Sequence, residues 1–276
     1  MRTTLNLNQL AVWVAGLLSS LVLLAGCATA PVSGRSQLNL VSASDEMKLG
    51  LSAFEELKST TPISKDARAN AMVQRVGKQV AEAAKNDLPA AQWEFVVFES
   101  PEANAFCLPG GKVGVYTGLL QIANDDASLA AVIGHEVGHA TAHHGAERMS
   151  EAMAMQTVGQ LLGSAITSTN QLVQTAFPLA YGGITKYGRA LPHSRNQELE
   201  ADHLGVIYMG RAGYDPQKAV QFWERFAAYN KERGGSTGDS FLSQFLSSHP
   251  VDSVRIAKLK ELMPQAMAEF QKSRLR

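Results

Sequence analysis

Six consecutive residues, Gly134-His135-Glu136-Val137-Gly138-His139, put two imidazoles four positions apart with a carboxylate directly after the first. On an α-helix, residues at i and i+4 project from one face, so His135 and His139 converge on a single Zn²⁺ through neutral ring nitrogens. Glu136 is turned about 100° from His135 and faces the water that such an ion polarises, which makes it the candidate general base. The chemistry implied is metal-assisted hydrolysis with one zinc ion per chain.

The element that must carry these histidines is legible around them. Asn124-Asp125-Asp126 is a polar cluster suited to capping a helix, and residues 127–133 are apolar enough for a buried one. Gly134 and Gly138 each cost about 1 kcal/mol relative to alanine there, so the pattern predicts that something packs closely against that face, such as a strand or the metal site. Catalytic zinc usually has three protein ligands and one open position. The metzincin solution is excluded, because Ala142 and Gly145 stand where that pattern needs glycine and histidine. A carboxylate from elsewhere is then required, and Glu198 is the best candidate. Ser194 caps a second helix that presents Glu198 and Asp202 on one face at i and i+4. Asp202 is placed to accept the other ring N–H of a ligating histidine and so fix its tautomer.

Further segments agree: Pro31-Val32-Ser33-Gly34-Arg35, Asn104-Ala105-Phe106-Cys107-Leu108-Pro109-Gly110-Gly111, and Ser248-His249-Pro250 ahead of Arg255-Ile256. Together with the helix motifs they resemble the M48 family of zinc metalloproteases, in its periplasmic lipoprotein branch, over nearly the whole chain after the leader. The resemblance implies a mainly α fold with a small antiparallel β-sheet (α+β), a zincin-like gluzincin whose active-site helix carries the two histidines. It implies His135, His139 and Glu198 as zinc ligands, Glu136 as general base and Asp202 as the supporting acid. It also implies an extended substrate along a strand edge, here Asn104, Ala105 and Phe106. His249 is brought near the metal, where it stabilises the oxyanion, fills the open metal position in a resting state, or gates substrate. Arg255 is the other oxyanion candidate. One departure is Cys107, where similar proteins commonly have a small apolar residue.

The activity so implied is an endopeptidase of the bacterial cell envelope, degrading misfolded or unassembled outer-membrane proteins. The alternative is a chaperone-like assembly factor that binds unfolded clients with little proteolysis. Retention of Glu136 favours catalysis, since a structural zinc site needs only its ligands. Unfolded polypeptides are partners in either case, with envelope assembly factors or other proteases as further ones.

The N-terminus has a positive start at Arg2, an apolar run over residues 10–26 and Leu24-Ala25-Gly26-Cys27, which resembles a lipobox. It predicts a signal peptide over 1–26, lipidation of Cys27, a linker over 27–42 and a single peptidase domain over 43–276. An uncleaved membrane anchor is the competing reading. Ala28, in place of aspartate, favours the outer membrane by the usual sorting rule. With Cys27 lipidated, Cys107 has no disulfide partner. Twenty-five basic residues balance twenty-five acidic ones, so nothing points to nucleic acid.

Along the rest of the chain, apolar spacing predicts helices over 43–58 and 66–85, a strand over 92–98 and a hairpin of 104–108 with 112–116 around a Pro-Gly-Gly turn. A stretch over 149–186, rich in Met, Ala and Gln, reads as two helices that cover the cleft or pack on the scaffold. Helices over 219–230 and 254–270 flank a Gly-rich loop at 234–238. Of the other histidines, His143 ranks as supporting or structural, and His144, His193 and His203 as structural or solvent-facing.

Overall fold

Five oxygen-bearing side chains fix where the long helices begin, each accepting from amides that the first turn leaves free. Ser42 caps α1 (Ala43–Thr60), Asp66 caps α2 (Ala67–Ala84), Asp125 caps α3 (Asp126–Thr141), Ser194 caps α5 (Arg195–Arg211) and Asp252 caps α7 (Ser253–Ser273). Helices α4 (His144–Gly163) and α6 (Gln217–Glu232) complete the helical part. The computed structural model describes residues 27–30, 33–163, 176, 194–232, 249 and 252–275. The predicted signal peptide, the segment after 163 apart from residue 176, His193 and the loop at 234–238 lie outside them.

Three strands form one sheet in the order β3 (Glu94–Phe98), β5 (Lys112–Tyr116), β4 (Ala105–Leu108). The expected β4–β5 hairpin is antiparallel, with Phe106 opposite Gly114, and Gly110 and Gly111 supply the positive φ of its turn. Strand β3 instead runs parallel to β5, so the sheet is mixed. The chain crosses to the far edge after β3 and returns as the central strand, and amides of Thr117 and Gly118 bond to the Phe98 and Ser100 carbonyls, prolonging the parallel ladder past the strand ends.

Alternation along the strands buries both sheet faces. Val113, Val115, Ala105 and Cys107 enter the main core with α2, α3, α5, α6 and α7. Phe98, Phe106, Leu108 and Tyr116 enter a second cluster with Phe54 of α1 and Met149 of α4. Strand β4 therefore lies at a sheet edge, packed against α3, with all four of its side chains buried.

The main structural pair is α3 against α5. A Cβ on Gly134 would lie 2.8 Å from the Gly205 carbonyl oxygen, and one on Gly138 2.8 Å from that of Ala201. The close neighbour predicted from the two glycines is thus present, and it is a helix. Glycine on both sides lets the backbones approach until His135 and His139 face Glu198 across the groove.

Residues 27–42, expected as a linker, carry a two-stranded ribbon of β1 (Cys27–Thr29) and β2 (Ser36–Leu38). It is tied down by a bond from the Leu40 amide to Ser150 Oγ on α4 (2.8 Å). No described helix is long and apolar enough to cross a membrane.

Candidate metal centre

Four buried side chains converge: His135 and His139 from α3, Glu198 from α5, and His249, which precedes α7. One ligand atom from each lies within 4.8 Å of all the others. His135 Nε2 and His139 Nε2 are 3.1 Å apart. The Glu198 carboxylate lies 3.2 Å from His139 Nε2 and 3.5 Å from His135 Nε2. His249 Nδ1 is 3.0 Å from Glu198 Oε1 and 3.3 Å from His135 Nε2.

The tautomers follow from what stands behind each ring. Arg255 grips Asp202 with Nε on Oδ2 and Nη2 on Oδ1, both at 2.8 Å, and Asp202 Oδ1 accepts from His135 Nδ1 at 2.9 Å. Burial pushes the Asp202 carboxyl up, but Arg255 and His135 outweigh it and hold the group ionised below the usual range. An ionised acceptor makes Nδ1 the protonated nitrogen, which leaves a lone pair on His135 Nε2. On the other ring, His144 Nε2 donates to Glu200 Oε2 (3.0 Å), so His144 Nδ1 accepts from His139 Nδ1 (2.8 Å). His139 Nε2 is then also a lone pair.

Two lone pairs and a carboxylate facing one another in a dry pocket repel unless a cation lies among them. The donors, two imidazoles and a carboxylate, are those zinc prefers. In the absence of a metal, although burial opposes it, Glu198 and Asp202 raise His135 to about 9, so a proton on Nε2 answers the same negative field and is displaced when a metal takes the Nε2 lone pair. Glu198 itself is held well below the carboxylate range against burial, chiefly by His249 and His135. Its Oε2 meets Arg255 Nη1 at 2.5 Å yet lacks a directed hydrogen bond. Glu136 Oε1 is buried without a hydrogen-bond partner, 3.6 Å from His249 Nε2, and burial pushes its carboxyl up.

The other sequence-predicted residues fall as follows. Asp202 stands behind His135. Arg255 is buried, with its guanidinium engaged by Asp202 and Glu198. Ala105 and Phe106 begin β4 and Asn104 precedes it; all three side chains are buried and the Asn104 amide and carbonyl are bonded to Glu102 and Tyr116, so that edge can offer a ligand only backbone groups of the strand itself. Cys107 faces the main core, and burial raises its thiol far above the ordinary value, leaving it unreactive. His203 bonds Gln265 on α7 and His143 bonds Glu46, both away from the pocket. The backbone of Cys27 pairs with Leu38 in the ribbon. Sequence reasoning missed His144 and Glu200, which complete the support of His139. The available signal was that His144 stands just past the end of the helix that carries the histidine pair.

A helix with two such histidines, faced by a glutamate from a second helix whose aspartate props the first ring, defines a zinc peptidase of the gluzincin type. The sequence pattern of peptidase family M48 matches residues 67–263. Over 246 residues the chain is 32% identical to the mitochondrial metalloendopeptidase OMA1 of Schizosaccharomyces pombe, covering 88% of this chain and 68% of that protein. Over 258 residues it is 30% identical to the Saccharomyces cerevisiae protein of the same name, covering 88% and 71%. It is 24% identical over 234 residues to the beta-barrel assembly-enhancing protease of Escherichia coli, covering 83% of this chain and 46% of that one. The chain belongs to peptidase family M48 and is a zinc metalloendopeptidase.

Proposed function

We propose that His135, His139 and Glu198 hold the zinc, that Glu136 is the general base, and that Asp202 fixes the working tautomer of His135. The observation that carries this reading is the pair of imidazole lone pairs aimed at one carboxylate, with Glu136 Oε1 buried beside them and unpartnered. When bound there, zinc supplies a Lewis acid that polarises a peptide carbonyl and acidifies water. Glu136, its carboxyl raised by burial, takes the proton of the attacking water and passes it to the leaving amine as the C–N bond breaks. The substrate backbone lies alongside Asn104, Ala105 and Phe106 at the edge of β4 that no described strand pairs. The Asn104 amide and carbonyl are already bonded to Glu102 and Tyr116, so the main-chain groups of β4 are its partners, and recognition tolerates many sequences.

His249 belongs to the resting state. Its Nδ1 sits with the other ligand atoms, where it makes a fourth donor, and an occupied fourth position leaves no room for substrate. Replacing His249 with alanine is expected to raise basal cleavage several-fold; a fall would assign it to the oxyanion instead.

The setting is the bacterial cell envelope, with Cys27 lipidated, the residues from 43 onward forming one catalytic domain, and the outer membrane holding the anchor. Unassembled or misfolded envelope polypeptides are the substrates. The lipobox-like Leu24-Ala25-Gly26-Cys27 supports this, as does likeness to a protease named for β-barrel assembly. The mitochondrial relatives are more similar in sequence, so the placement rests on the leader. The test is degradation of casein and of an unfolded β-barrel protein by wild type and Glu136→Gln, with zinc quantified. The reading predicts cleavage by wild type and none by a fully zinc-loaded variant. Equal client binding without cleavage by both would replace it with the chaperone-like role.

A further inference from the structure

The support behind His139 does not end at Glu200. Arg35, in the turn that joins the two strands of the N-terminal ribbon, donates from Nε to Glu200 Oε2 at 2.7 Å. Its Nη1 and Nη2 form a fork on the Glu147 carboxylate of α4 at 2.6 and 2.7 Å. Ser33 donates its hydroxyl to Glu200 Oε1. Glu147 also accepts from Gln197 Nε2 at 2.7 Å, and that glutamine is the capping-box residue that starts α5. The side chains of Glu147 and Glu200 are only 8% and 5% exposed, so two carboxylates have been taken out of water within reach of one guanidinium.

We infer that the ribbon turn Ser33-Gly34-Arg35 is a positioning device for the metal centre, acting through Glu200 and His144 on His139. The inference rests on the reading of His139 as a ligand. Each link has a defined direction. Arg35 and Ser33 hold both oxygens of Glu200, which orients the carboxylate as the acceptor of His144 Nε2–H. That bond leaves His144 Nδ1 as the acceptor for His139 Nδ1–H, and so directs the lone pair of His139 Nε2 into the pocket. An ion pair that served only to hold the ribbon down would need one carboxylate. Here the guanidinium spans two helices, with Glu200 two residues beyond Glu198 on α5 and Glu147 one turn beyond His144 on α4. The pairing Cys27↔Leu38 closes the same ribbon. The predicted lipidation point and the metal ligand are therefore ends of one ordered chain of contacts.

The test uses the full chain in detergent, with two readouts besides activity: zinc affinity by competition with a chromophoric chelator, and the visible spectrum of the Co²⁺-substituted protein. Arg35→Ala and His144→Ala are each expected to weaken zinc binding 10- to 100-fold and to alter the cobalt spectrum. The double variant is expected to be no weaker than His144→Ala alone, because the two act through one path. Arg35→Gln keeps one hydrogen bond and guards against loss of folding in the alanine variant; it is expected to lose zinc affinity as well. Folded Arg35 variants with wild-type zinc affinity and cobalt spectrum, or losses that multiply in the double variant, overturn the inference. His139→Ala separates the two claims: if it keeps zinc, the ligand reading itself fails, and if it loses zinc while Arg35 variants do not, only the positioning role fails.

Discussion

The two histidines of one helix are held in different ways. His135 is backed by Asp202, itself clamped by Arg255, and all three side chains are 1–2% exposed in the main core. His139 is backed by His144 and Glu200, a path that runs outward to Arg35, whose side chain is 29% exposed on the N-terminal ribbon. The inner support forms whenever α3, α5 and α7 pack, because its parts belong to those helices. The outer support also needs a segment of 27–42 to dock. One imidazole is thus fixed by the core, while the other is open to influence from the end of the chain that carries the predicted anchor.

The largest effect should come from breaking the inner clamp. Asp202→Ala leaves Arg255 a buried charge with a lost partner, a change that costs about 3–5 kcal/mol in comparable cases, and zinc affinity should fall 10- to 100-fold. Urea unfolding and chelator competition measure the two, and a variant as stable as wild type would break the comparison at its firmer side.

Next comes the helix contact itself. In Gly205→Val the new Cβ would meet His135 N at 2.9 Å and Gly134 C at 3.0 Å, so α3 and α5 must separate at a cost of roughly 1–3 kcal/mol, visible in thermal unfolding.

The outer support should prove softer. Glu147→Gln removes one charge from the fork and is expected to cost about 1 kcal/mol, read as faster amide exchange in peptides covering 27–40 with little change in α3. Equal loss of protection in both would erase the distinction between the sides.

The outer support should also respond to acid. Burial pushes the Glu147 carboxyl up, but its bonds from Arg35 and Gln197 prevail and lower it. A carboxyl depressed on folding adds stability above its unfolded value of about 4.3, and that contribution is lost as pH falls through the folded value. Exchange at the ribbon should therefore accelerate as pH is lowered below about 4, after correction for intrinsic rates. The smallest effect belongs to Arg75→Ala at the exposed pair with Asp126, which should leave both thermal unfolding and zinc affinity close to wild type.

The difference between the two sides also explains how much could be seen beforehand. Spacing alone placed His135, His139 and Glu136 on one helix. The cap at Ser194 located α5, and with it the shared face of Glu198 and Asp202. These are local facts of helical period, legible in one dimension. His144 and Glu200 gave no comparable signal, since their role depends on two helix faces meeting in space. Arg35 was visible within a motif but without a partner, because its carboxylates lie 112 and 165 residues away in the chain. The parallel alignment of β3 was hidden for the same reason: edge order follows from the crossing after Phe98, which strand patterning does not encode. Gly134 and Gly138 announced a close neighbour correctly while leaving its nature open, since a strand, a helix or a metal all demand the missing Cβ.

The most direct test of the metal centre is the anomalous diffraction signal at the zinc edge from crystals of the zinc-loaded protein. The geometry predicts one peak within bonding distance of His135 Nε2, His139 Nε2 and the Glu198 carboxylate. A zinc peak elsewhere, or one here that Glu198 does not touch, would contradict the ligand set on which the mechanism and the roles of both supports depend.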